Sequence, residues 1–242
     1  TEIYTLSLHD ALPISIFGGA GDDTIYNESG ARVSLFGGAG DDLIQNDIQV
    51  IWNEKTEKYE TISPDNSTLL GGDGDDSIIN EVGGDNKAGK NVLIGGGNGN
   101  DDIYNDNSNG TITGDAGKDY IVNWGDKSSV SGGAGDDTIK IEGNSTKNPN
   151  NITIIGGKGN DYIFNSTSSN YTIKSSYGYV TIDGGNGSDS IYSYDPNVSI
   201  SGGAGKDLIS LKSSDFGGVT INGGKGNDTI YGDSLGGGVL YQ

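Results

Sequence analysis

Gly132-Gly133-Ala134-Gly135-Asp136-Asp137-Thr138-Ile139-Lys140 is one of ten copies of a nine-residue phrase, Gly-Gly-x-Gly-x-Asp-x-Ile-x, that runs from Gly18 to Tyr231. The copies begin at Gly18, Gly37, Gly71, Gly96, Gly114, Gly132, Gly156, Gly184, Gly202 and Gly223. Position six is aspartate throughout: Asp23, Asp42, Asp76, Asp101, Asp119, Asp137, Asp161, Asp189, Asp207 and Asp228. Position eight is isoleucine throughout, from Ile25 to Ile230, and the second glycine lapses once, at Asp115. Self-similarity at a short fixed period marks a repeat architecture, in which each unit buries too little by itself and stands by stacking on its neighbours.

Successive first glycines are 19, 34, 25, 18, 18, 24, 28, 18 and 21 residues apart, so the shortest recurring interval is 18, twice nine. One coil therefore holds two strands: a loop, a strand, a second turn, a second strand, and then the next loop. Two residues before each loop stands another aliphatic residue, in order Ile16, Leu35, Leu69, Ile94, Ile112, Val130, Ile154, Ile182, Ile200 and Ile221. Side chains alternate faces along a strand, so these residues and the position-eight isoleucines form two ladders facing each other inside a thin solenoid. Burying one isoleucine contributes roughly 1.5 to 3 kcal/mol, and about two per coil leave a lone repeat unstable.

The expected fold is all-β, a parallel β-roll (β-solenoid) of stacked two-strand coils, with all ten loops on one edge and the surplus residues leaving from the other. The largest insertion, Ile48 to Ser67, reads as a β-hairpin, because IQVIW and YETI flank the polar NEKTEK. Smaller insertions fall near Val82 to Asn91, Gly143 to Asn151 and Ser166 to Tyr179. The interval of 28 leaves an alternative open: three nonamers there would move the last three loops to the opposite edge.

Composition narrows the function classes. With 31% hydrophobic residues among 242, a thick globular core is out of reach and a thin extended one fits. The 44 glycines have no every-third pattern and prolines number four, which excludes a collagen helix. A formal net charge of -20 repels itself in a compact fold unless cations enter, and it offers phosphates no basic stripe, so no nucleic-acid partner is expected. Cysteine is absent, so neither disulfides nor thiolate metal sites hold the chain together. No apolar run approaches the roughly 20 residues that span a bilayer.

The opening Thr1 to Ile14, TEIYTLSLHDALPI, differs in composition from the rest of the chain and contains the single histidine, His9. Read back into codons it resembles a common sequencing-library adapter. Residues 1–14 are therefore expected to be an unstructured assembly artefact, and residues 15–242 a roll that is a fragment of a larger protein. Setting Glu2 and Asp10 aside changes the net charge from -20 to -18.

Glycines at positions one, two and four permit a tight backbone path that turns main-chain carbonyls toward a common point, and the position-six aspartate adds a hard anionic oxygen. Calcium takes six to eight oxygens at about 2.3 to 2.6 Å with tolerant geometry, which two stacked loops can supply together. Zinc favours nitrogen and sulfur, and magnesium wants a strict octahedron and keeps its waters. Calcium is the expected cofactor. Turn capping by Asp beside Gly is the plainer alternative for the aspartates. An EF-hand starting at Asp73 fails, because its twelfth position is Gly84.

On these nonamers the chain resembles the repeats-in-toxin (RTX, hemolysin-type) family, from Ile16 to Tyr231. The resemblance implies that each ion lies between loops of successive coils, held by the position-six aspartates and by main-chain carbonyls of positions one, three and five. Carried over, position one supplies the ten first glycines, from Gly18 to Gly223. Position three supplies Ala20, Ala39, Asp73, Asn98, Ala116, Ala134, Lys158, Asn186, Ala204 and Lys225. Position five supplies Asp22, Asp41, Asp75, Asn100, Lys118, Asp136, Asn160, Ser188, Lys206 and Asn227. Ten loops leave nine gaps, and nine divalent ions would carry +18 against -18. Lys118, Lys206 and Asp115 depart from the common pattern, so neighbouring sites are expected to bind more weakly.

The resemblance also implies type I export from a bacterium and calcium-dependent folding outside the cell, as a monomeric module of a toxin, hydrolase or adhesin. A surface-binding module recognising carbohydrate is the alternative, since Tyr26, Tyr104, Phe164, Tyr192 and Tyr231 face outward; cross-strand ladders are the plainer reading of these rings. Asn27, Asn46, Asn80, Asn105, Asn123 and Asn165 are expected to form a ladder in the second turn. With no cysteine, one arginine (Arg32) and acids committed to metal, no catalytic residues are assigned and no enzyme activity is expected of this segment.

Overall fold

Each loop is followed by a short strand and preceded by a longer one, and the two sets build separate sheets. The computed structural model describes residues 3–6, 13–28, 32–63, 65–81, 90–143, 149–166, 179–212, 218–232 and 240–241. Among these, the ten strands that leave the loops, such as Thr24–Asn27, Leu43–Asn46 and Tyr120–Asn123, form with Ile3–Leu6 one eleven-stranded parallel sheet. The ten strands that enter the loops, such as Ile14–Ala20, Val33–Ala39 and Ser129–Ala134, form a second with Leu240–Tyr241. The described residues include no helix long and apolar enough to cross a membrane.

Register follows the repeat without a slip. Ile25 pairs with Ile44, Ile44 with Ile78, and so on to Ile209 with Ile230. In the other sheet Ile16 pairs with Leu35 and the ladder runs to Ile221. A one-residue shift would turn every one of these side chains outward, so the buried faces hold the register. Across the 28-residue interval Ile154 pairs with Ile182, Gly157 with Gly185 and Ile163 with Ile191. The eighth to tenth loops therefore stay in the same stack, and the alternative of three nonamers is excluded.

The two ladders meet as one continuous core whose members are almost wholly removed from water. It is deeper than two residues per coil. Four positions before the first glycine, Val33, Val92, Ile152, Val180, Val198 and Val219 are also buried, and Ile141 and Leu211 extend the core on the other sheet. These extra residues continue the same period-two alternation. Where that position is Ser67, Gly110 or Ser128, the coil has a smaller apolar filling.

On the edge opposite the loops, asparagine amides stack. Asn27 Nδ2 donates to Asn46 Oδ1 at 2.6 Å, Asn46 to Asn80 at 2.9 Å, Asn80 to Asn105 at 2.8 Å and Asn105 to Asn123 at 2.7 Å. Asn165 does not join them. The strand between has Ile141 at this rank, and Asn165 Nδ2 donates instead to Ser193 Oγ and Asp195 Oδ2.

The large insertion is a hairpin, Gln49–Asn53 against Lys58–Ile62, antiparallel, with Trp52 opposite Tyr59 and their rings edge to face at 5.0 Å. The insertions at 82–91, 143–151 and 166–179 lie mainly outside the described residues. Ile3–Leu6 departs from the expected unstructured leader: it is a strand that pairs in parallel with Thr24–Asn27. The open edge of a parallel sheet pairs through main-chain groups, so it accepts an extended segment of any sequence.

Candidate metal seam

The ten position-six aspartates lie in one file between the sheets' loop ends, and from Asp23 to Asp207 they are buried. From Asp42 to Asp207 each uses its carboxylate asymmetrically. Oδ1 accepts the amide N–H of the position-six aspartate one coil earlier: Asp23 N to Asp42 Oδ1 at 2.8 Å, Asp76 N to Asp101 Oδ1 at 2.8 Å, and likewise to Asp207 N with Asp228 Oδ1 at 3.1 Å. Oδ2 of Asp42, Asp76, Asp101, Asp119, Asp137, Asp161, Asp189 and Asp207 is buried and accepts no hydrogen bond.

What surrounds Oδ2 depends on the first glycine. A Cβ placed on Gly37 would collide with Asp42 Oδ2 and with the carbonyl oxygen of Gly71, the first glycine of the next loop. The same pair of oxygens converges under Gly71, Gly96, Gly114, Gly132, Gly156, Gly184 and Gly202. Position one is glycine because two oxygens occupy the space that any side chain would take. Position two is glycine for a conformational reason, with φ of 124° at Gly38, and for a steric one, since a Cβ there would collide with the carbonyl oxygen of Gly19. Asp115 tolerates φ of 75° there, and its Oδ1 accepts from Thr113 Oγ1 at 2.8 Å.

The other carbonyls expected from the sequence are placed differently. Those of position three, from Ala39 to Ala204, each accept the position-four N–H of the preceding loop, as in Gly21 N to Ala39 O at 2.6 Å and Gly117 N to Ala134 O at 2.9 Å. A carbonyl keeps a second lone pair, so this bond orients it without exhausting it. Position-five residues, from Asp22 to Asn227, are exposed along the seam's outer side. Their side chains have a role that sequence reasoning missed. Asp22 Oδ1 accepts from Asp41 N at 3.0 Å, Asp41 Oδ1 from Asp75 N at 2.9 Å and Asp75 Oδ1 from Asn100 N at 2.7 Å. The available signal was the Asp or Asn at position five in seven of the ten copies.

Burial pushes Asp76, Asp119 and Asp161 up to about 7, and Asp101 and Asp189 up to about 6; the donated amide pulls the other way, and nearby aspartates add like charge. Burial likewise raises Asp42, Asp137 and Asp207. Among the described residues, no three acidic, imidazole or thiol side chains converge on one point. One carboxylate per coil means that any ion here draws most of its oxygens from the main chain. A buried anionic oxygen beside a carbonyl, with its charge already unfavourable, suits a hard cation and offers nothing to a thiophilic one.

On the outer face of the loop-exit sheet, rings lean on one another: Tyr104 and Tyr120 at 6.1 Å, Tyr162 and Tyr192 at 5.5 Å, Phe164 and Tyr194 at 5.5 Å. Their planes are tilted by 56°, 38° and 52°, the geometry of cross-strand ladders.

A family model of the RTX calcium-binding nonapeptide repeat matches residues 15–33, 32–45, 128–140, 153–166, 172–195, 183–213 and 216–234. Neither the curated proteins nor the solved structures yielded a match to the chain. The matches fall on seven of the ten loops whose aspartates line the seam, and the fold is the parallel roll that such repeats build: the chain belongs to the repeats-in-toxin family of calcium-binding repeat proteins.

Proposed function

We propose that the seam holds calcium in the gaps between successive loops, up to about nine ions, and that filling it orders this module of an exported bacterial protein. The observation that carries this reading is the buried position-six Oδ2, unbonded and adjacent to the next loop's first carbonyl. Asp42 Oδ2 with Gly71 O, and Asp119 Oδ2 with Gly132 O, are representative oxygen pairs. The Oδ1 bonds to the preceding amides fix each carboxylate's rotation, so Oδ2 is held toward the gap before any ion arrives. Position-three carbonyls, oriented by the preceding loop, complete the donor set with those of position five.

Calcium, when bound, supplies the divalent charge that a file of desolvated carboxylates lacks. Without it, the seam's own repulsion opposes the apolar burial between the sheets. Extracellular sites of this kind work at on the order of 10⁻⁴ to 10⁻³ M, so the chain stays loose in a calcium-poor cytoplasm and orders outside. Binding to the folded state alone makes ion concentration part of folding stability. Circular dichroism during a calcium titration tests this: a coil spectrum should become a β spectrum over the millimolar range. A spectrum unchanged by calcium would overturn the reading.

A further inference from the structure

Two side-chain ladders run along opposite edges of the roll, and both stop at the same place. On the loop edge, the position-five relay passes from Asp22 through Asp41 and Asp75 to Asn100, whose Oδ1 accepts from Lys118 N at 2.9 Å. Lys118 has only donors in its side chain and cannot offer Asp136 N an acceptor. The relay starts afresh beyond it, with Asp136 Oδ1 accepting from Asn160 N at 2.7 Å and Asn160 Oδ1 from Ser188 N at 2.8 Å. On the far edge the asparagine ladder ends at Asn123, which is paired with Ile141 in the sixth coil. An isoleucine has no polar atom to continue it.

Besides strand pairing, the common core and the main-chain bonds Gly117 N to Ala134 O at 2.9 Å and Lys127 N to Asn150 O at 2.8 Å, the side-chain links from the fifth coil to the sixth are the Asp119 N to Asp137 Oδ1 bond at 2.9 Å and Lys140 Nζ donating to Tyr120 Oη at 2.9 Å on the outer face. A stack of repeats behaves as a line of nearest-neighbour interfaces, so cooperativity breaks where coupling is weakest. Later coils are interrupted again, by Lys206 at position five and Leu211 opposite Ser193.

We propose that the interface between the fifth and sixth coils divides the roll into two folding blocks, and that the first block, with both ladders unbroken, orders at the lower calcium concentration. This rests on calcium filling the seam. It makes Asp or Asn at position five a positioning residue for the loops and Lys118 the gap that separates the blocks.

Hydrogen exchange read by mass spectrometry on the whole chain, at graded calcium, tests it. Strands from Thr24 to Asn123 should gain protection at a calcium midpoint about fivefold below that of strands from Thr138 to Ile230, the effect of ~1 kcal/mol at 1.4 kcal/mol per tenfold. Lys118→Asn, which restores the acceptor, should draw the two midpoints together. A single midpoint for all strands of the unaltered chain, a division elsewhere, or no narrowing in K118N would overturn the two-block proposal while leaving calcium-dependent ordering intact. Protection unmoved by calcium would overturn both.

Discussion

The amide of Asp101 donates to Asp119 Oδ1 at 2.9 Å, while Asp119 Oδ2 is buried beside the carbonyl oxygen of Gly132 with no hydrogen bond. One carboxylate thus joins two coils through one oxygen and presents the other to the gap. That division of labour separates what the backbone achieves alone from what a cation must complete, and it decides whether a substitution acts on folding, on ion binding or on both.

Asp119→Asn keeps an acceptor for Asp101 N and removes a desolvated charge. In chelator at neutral pH the variant should be more stable than the parent by about 1 kcal/mol, because an amide can donate to the neighbouring carbonyl where a carboxylate cannot. In calcium it should bind fewer ions and lose its advantage. Denaturant titrations with and without calcium, together with equilibrium dialysis, measure both effects.

Proton binding should partly replace calcium. The folded carboxyls of Asp76, Asp119 and Asp161 titrate near 7, and those of Asp101 and Asp189 near 6, above their ordinary value of 3.8. The folded chain therefore holds more protons than the unfolded chain between these limits, and the calcium-free roll is most stable below about 4 and loses that stability as pH rises through 6 to 7. Calcium affinity should move the opposite way, strengthening as the protons leave. Circular dichroism in chelator from pH 4 to 8 should show β structure at the acid end; greater order at pH 8 than at pH 5 would contradict the assignment.

Gly37→Ala places a methyl against Asp42 Oδ2 and Gly71 O. A shift of both oxygens is required, at a cost of about 1 to 3 kcal/mol for overpacking, and it falls on the second gap. The variant should need more calcium to order than Ala39→Gly, which changes an exposed side chain in the same loop. Parallel calcium titrations compare them.

Asn80→Ala leaves Asn46 Nδ2 without its acceptor and Asn105 Oδ1 with only the longer bond from Asn107 N at 3.2 Å, both residues being fully buried. About 1 to 3 kcal/mol of stability should be lost, without change in the number of ions bound. Thermal melts and dialysis in saturating calcium separate these two readouts.

The tilted rings of the loop-exit sheet should act as packing and not as a sugar platform. A glycan array probed in calcium should show no binding, and Tyr162→Ala should change stability by less than about 1 kcal/mol. Saturable binding to one glycan class, lost in Y162A, would favour the surface-binding alternative.

The repeat spacing contained the fold because the requirement is local and periodic: an aliphatic residue every second position, a glycine loop, and a minimum interval of 18 place Ile25 over Ile44 and Gly18 over Gly37. The hairpin at Gln49–Ile62 was legible for the same reason, as two β-rich runs around a polar turn. The third core rank, Val33 to Val219, was equally available and needed only the alternation carried one step further back.

By itself, then, the sequence determined the parallel roll, the stacking of its aspartate-bearing loops coil on coil and the class of ion that fits them, since these depend on residue type and period. Tertiary structure alone decided which oxygen of each aspartate is spent on an amide, that the loop at Gly184 stays in line after 28 residues, and that the relay at Lys118 and the ladder at Asn123 end on the same interface. Those outcomes depend on which residues of different coils come to lie opposite one another. Insertions of unequal length hide that pairing in the chain, and only stacking reveals it.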